Sequence, residues 1–121
     1  MKTKKDDKDL EKSTPHIVIE IINYVPDAIV SKTILKKPTG SVIVTAFDAG
    51  EDLAKKTCPF DTYVQIIEGT AEIQIKGKKF VLKMGDGIII PAHARHEFSA
   101  VHQFKMISTV IKSGYEDVSL S

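Results

Sequence analysis

From Ala28 to Lys112 the chain divides into about nine short segments, alternating in polarity or rich in β-branched residues, with turn signals roughly every 8 to 12 residues. Ala71 to Lys76 is the clearest, with Ile73 and Ile75 on one face and Glu72, Gln74 and Lys76 on the other. Ser41 to Asp48 sets Val42, Val44 and Ala46 against Ile43, Thr45 and Phe47. The remaining segments are Ala28 to Leu35, Leu53 to Thr57, Thr62 to Ile67, Lys79 to Lys83, the run before Pro91, His96 to Ala100, and Gln103 to Lys112. Turns fall at Lys36 to Gly40, Ala49 to Asp52, Glu68-Gly69 and Gly77-Lys78. No helical repeat of useful length interrupts this pattern, so the fold class is all-β, a sandwich or a barrel.

The flanks read differently. Met1 to Thr14 carries five lysines and four acidic residues with only Met1 and Leu10 apolar, a composition that cannot offset the entropy of ordering. Residues 1–14 are therefore expected to form a disordered charged tail, 15–113 the β domain, and the polar stretch 114–121 a loose end. Ile17 to Val25 fits a short buried helix about as well as a strand, and its β-branched content leans toward a strand.

Composition excludes several functions. The net charge of +1, from 17 basic and 16 acidic residues, gives no electrostatic case for nucleic acid. No apolar run approaches the roughly 20 residues of a membrane span, and the N-terminus lacks the apolar core of a signal peptide. One cysteine cannot form an internal disulfide, so a reducing, cytoplasmic setting is expected.

Gly85 to Ala100 holds the densest chemistry. A Gly-Asp-Gly turn leads into Ile88-Ile89-Ile90, and Pro91 must end that strand because it has no N–H for a ladder. A loop with His93 follows, and then alternation resumes with His96, Phe98 and Ala100 on one face. His96 thus shares a side with apolar residues and is expected to point inward.

This stretch resembles the second signature motif of the cupin superfamily. Gly85, Pro91 and His96 occupy motif positions, while His93 stands where a Gly is usual and Ala100 where an Asn is usual. The spacing of the first cupin motif is met from Gly50 to Gly69, but Lys56, Cys58 and Thr62 occupy its two His positions and its Glu position. The resemblance covers about the central 50 residues and implies a double-stranded β-helix, the jelly-roll barrel of the RmlC-like cupins, with both motifs lining one open end. In relatives with all four ligands, a divalent Fe, Mn, Ni or Zn ion is held there. This chain keeps only His96 of the four, so no cofactor is expected with confidence in a metal site. Any metal would have to recruit Cys58 and His93, or Asp61, alongside His96, against the charge of Lys56. Small cupins often pair through the outer face of one sheet. Because Gln103 to Lys112 is apolar on both faces, a homodimer is expected to cover one of them.

The expected function is binding of a small molecule, metal-free or weakly metal-binding, in a barrel mouth made positive by Lys56, His93, Arg95 and His96 beside Cys58. Such a field favours a small anionic ligand of carboxylate or sugar type. Arg95 is the chain's sole arginine and suits the grip of a carboxylate or phosphate. The alternative is an enzyme. Metal-free cupin epimerases use a His base near a Lys, so Lys56 and His96 are candidate catalytic residues for an isomerase, epimerase or decarboxylase. A metal-dependent dioxygenase is the expectation if a metal is bound. His16 and His102 read as surface residues.

Overall fold

A computed structural model describes the backbone of residues 2–6 and the whole of residues 8–115. Nine strands run in chain order: β1 (Lys2–Asp6), β2 (Ala28–Lys37), β3 (Gly40–Phe47), β4 (Asp52–Lys56), β5 (Thr62–Ile75), β6 (Lys78–Lys83), β7 (Gly87–Ile90), β8 (His96–Ser99) and β9 (Phe104–Ile111). They form a curled sheet in the order β1-β2-β3-β9-β5-β8-β4, with β6 and β7 also paired to β5. Apart from the parallel β1–β2 pair, all pairings are antiparallel. This is the jelly-roll barrel that the resemblance implies.

Strand β5 closes the barrel. Its first half pairs with β9 and β7, and its second half pairs with β6 and β8. The sequence reading splits it at Glu68-Gly69. In the structure the strand runs on through them, with a bulge at Ile67 where the β9 register shifts between Ile66 and Glu68 and the strand passes from one sheet to the other. Gly69 has φ +78°, and a Cβ there would strike the Gln103 carbonyl, so the crossing requires glycine.

The barrel interior follows the predicted alternation. Ile29, Phe47, Val64, Ile66, Ile73, Phe98, Phe104 and Met106 share one buried cluster. Phe47 stacks on Phe104 with centroids 4.4 Å apart and meets Phe98 at 5.9 Å.

Ile17 to Val25 is not a strand. It makes one 3-10 turn at Val18–Glu20 and then lies across the outer face of β2, β3 and β9. Ile22 is buried there with Ala28, Val30, Val44 and Ala46, and Ile21, Tyr24 and Val25 pack around them with Ile67 and Ile107. Its clustered apolar residues, without strict alternation, suit a cover better than a ladder. Lys105 pins this cover. Only 6% exposed, it donates through Nζ to the Ile19 carbonyl at 2.6 Å, stands 3.7 Å from Glu68 Oε1 and lies over the Tyr24 ring. Tyr24 donates to the same Glu68 oxygen at 2.6 Å. Burial, then that hydrogen bond and the Glu68 charge, push the phenol above its ordinary value. Part of the outer β9 face is thus covered by the chain itself, a cover that the argument for a homodimer did not anticipate.

Two flanking segments are more ordered than the sequence suggests. Lys2–Asp6 pairs in parallel with β2, from Lys2 opposite Ala28 to Asp6 opposite Lys32, where a disordered tail is expected. Ladder bonds use backbone groups and do not require apolar side chains. At the other end, Tyr115 accepts a hydrogen bond from the Asp61 N–H and meets Phe60 edge-on at 5.6 Å. Residues 116–121 of the expected loose end lie outside the described residues, as do Met1 and Asp7.

Candidate functional site

The barrel holds a cavity of about 310 Å³ that begins where the stacked Phe47–Phe104 pair ends, with Phe98 on its wall. Interior pairs along β3 and β9 explain its position: Phe47 faces Phe104, Thr45 faces Met106, and Ile43 faces Ser108. The side chains shorten toward one end and leave space. On β2 and β5, Ser31 and Thr62 continue this small, polar lining, and Ser31 and Thr45 share a hydrogen bond of 3.0 Å.

Lys56 and His96 line this cavity together with Cys58. Lys56 ends β4 and His96 begins β8, and the two are direct partners across the antiparallel ladder. Lys56 is exposed and sits at the mouth, whereas His96 is 8% exposed and belongs to the wall. The His96 ring stands edge-on to Phe98 at 6.0 Å. Its Nδ1 donates to the Ala94 carbonyl at 3.1 Å, leaving Nε2 as the acceptor of the neutral ring. Thr62, at the position of the usual Glu, contributes a neutral hydroxyl to the lining.

His93 and Arg95 do not line the cavity. Both are exposed. His93 adopts φ +68°, and its N–H donates to the Cys58 carbonyl at 2.6 Å. The motif usually has Gly at this position, and the left-handed backbone explains why. Histidine here keeps the turn, and its backbone fastens the β7–β8 loop to the Cys58 segment. Arg95 follows the alternation, lying one residue before inward His96 and on the opposite side, in an outer cleft. Asp61 is also committed elsewhere, accepting the Ala92 N–H through Oδ1 at 2.8 Å.

The residues present do not fit the divalent metal of the complete motif. Among the described residues no three His, Cys, Asp or Glu side chains gather to hold an ion. One imidazole and one thiol fall short of the roughly three protein ligands of a catalytic zinc, and the Lys56 ammonium repels a cation.

The comparisons agree with this fold. The family model described as Cupin domain matches residues 57–111, from the Cys58 segment through β9. The chain carries a cupin domain. A Streptococcus pyogenes protein of unknown function has the same fold, with a TM-score of 0.81 and 26% identity over 87% of this chain and 92% of that one. A cupin superfamily protein from Desulfitobacterium hafniense gives a TM-score of 0.80 at 23% identity, over 86% of this cupin and 95% of that chain. A cupin 2 conserved barrel domain protein from Leptotrichia buccalis gives 0.75 at 29% identity, over 78% of this chain and 46% of that one. Among curated proteins, none matches the sequence. No helix among the described residues is long and apolar enough to cross a membrane.

Proposed function

We propose that this cupin binds a small, partly apolar molecule bearing an anionic group, carboxylate or sugar-type, inside the barrel and without a tightly held metal. The observation that carries this reading is the placement of Lys56 and His96 as cross-strand partners on one cavity whose lining contains no carboxylate. Lys56 supplies the charge at the mouth, His96 Nε2 and the Ser and Thr hydroxyls supply hydrogen bonds, and the aliphatic walls take the apolar part. A volume of about 310 Å³ is at the lower end of ligand pockets, which span roughly 300–1,000 Å³. The test is a thermal-shift screen of small carboxylates and sugar acids on wild type and Lys56→Gln. The expected result is stabilisation of wild type by at least one anion and its loss in the variant. No stabilisation by any anion refutes the reading.

The same pair supports a second, catalytic reading. A lysine and a histidine across one small cavity are the components of proton transfer on a small oxo acid, as an isomerase or decarboxylase would require. Borohydride trapping of an adduct on Lys56 separates this from simple binding.

We also propose a homodimer, in cytoplasm. The outer face of β5, β7 and β9 beyond the Ile17–Val25 cover exposes Tyr63 (43%), Ile89 (62%) and Ile111 (56%), and Tyr63 and Ile89 are cross-strand partners. Light scattering of wild type and Ile89→Glu is expected to give a dimer and a monomer. The cytoplasmic reading rests on the lone thiol of Cys58.

A further inference from the structure

We propose that this cupin carries a second site, an outer cleft that binds a dianionic phosphate group and does not depend on the barrel cavity. The cleft, of about 110 Å³, lies where β4, β5 and β8 meet, and Lys55, Lys76, Arg95, Gln74 and Glu97 line it. Three cations against one carboxylate leave two uncompensated positive charges. None of the three makes a salt bridge with a carboxylate among the described residues. Glu72, on the same outer face of β5, is taken by Lys79 at 2.7 Å, and Asp52 lies opposite Ser99, toward the far end of β8. Like charges lining one cleft repel one another, and an anion between them relieves that repulsion.

The cations are also positioned. Lys76 has φ +51°, and its N–H donates to the Arg95 carbonyl at 2.8 Å, so a backbone hydrogen bond holds two of the three side by side. A guanidinium fork flanked by two ammonium groups matches the oxygens of a phosphate, and the Gln74 amide adds a neutral donor. The volume is a few times the roughly 30 Å³ of one water, enough for a phosphate group but not for a nucleotide. Glu97 opposes the anion and weakens its binding. His96 is a wall of both this cleft and the cavity, so the test must separate the two sites.

The experiment is an NMR titration of the full chain with inorganic phosphate at constant ionic strength. Saturable shifts at Lys76, Arg95 and Glu97 are expected. Arg95→Gln is expected to weaken binding about tenfold, since a bond between charged groups contributes more than 1 kcal/mol and about 1.4 kcal/mol corresponds to a tenfold change. Glu97→Gln is expected to tighten binding, a gain that a merely structural role does not produce, and Lys56→Gln to leave it unchanged. Methyl phosphate binding as tightly as inorganic phosphate assigns the site to phosphate esters, and binding of inorganic phosphate alone assigns it to the free ion. Shifts that do not saturate, an affinity unaltered in Arg95→Gln, or an equal loss in Lys56→Gln overturns the proposal.

Discussion

The two ends of the barrel interior are built on the same strands and yet do opposite things. At one end Phe47 and Phe104 fill the space between the sheets, and at the other Ser31, Thr45, Thr62 and Ser108 leave a cavity open to Lys56 and His96, with Phe98 between the two. Backbone geometry is common to both ends, so side-chain size along each inward-facing row decides where the barrel is solid and where it is hollow. The solid end supplies stability, and the hollow end is where a ligand is expected. Substitutions at the two ends should therefore separate folding from binding.

The largest effect is expected at the solid end. Phe47→Ala removes a ring stacked on Phe104 and tilted against Phe98, and should cost about 3–5 kcal/mol in the denaturant-unfolding free energy. A loss below about 1 kcal/mol would mean that the phenylalanine cluster is not the stabilising half.

Next comes the buried polar contact on the outer face. Lys105→Ala strands the Ile19 carbonyl and removes the ammonium beside Glu68, and a cost of about 1–3 kcal/mol is expected, with faster hydrogen exchange at Ile22 to Val25. Exchange unchanged over that segment would show that Lys105 does not hold the cover.

This cover also sets a pH dependence. The Tyr24 phenol is raised above its ordinary value, so the folded state binds its proton more tightly than the unfolded chain does. That contribution is fully present below about pH 10 and is lost as pH rises above it toward the raised value. Tyr24→Phe should flatten the loss of stability in that alkaline window, measured as melting temperature against pH.

The smallest effect on folding is expected at the hollow end. Lys56→Gln changes an exposed side chain and should shift stability by no more than about 0.5 kcal/mol while removing carboxylate binding in the cavity. A large stability loss without a binding change would reverse the assignment of the two ends.

Much of this division was legible in the sequence. Alternation placed Ile73, His96 and Phe98 inward and set Phe47 on one face with Thr45, because a half-buried strand leaves a period of two in its residues. The same period places Arg95 opposite His96, a signal that its position in the motif loop obscured. Cys58 and Thr62 reached the cavity at the positions where the motif spacing puts them. The continuity of β5 was hidden because a bulged sheet crossing and a tight turn both use a Glu-Gly pair of this kind, and only the partners across the ladder distinguish them. The role of Ile17 to Val25 was equally hidden. A segment that covers a sheet follows the shape of its surface and has no period of its own. Lys2–Asp6 pairs through its backbone, which composition does not report.

The central claim is that Lys56 and His96 act together on a ligand that needs no metal. The most direct measurement is an NMR titration of a small carboxylate into chelator-treated protein, following the Lys56 and His96 side-chain signals. Saturable shifts of both signals in the absence of metal are the expected result. Shifts that appear only after one equivalent of a divalent ion is added would contradict the account.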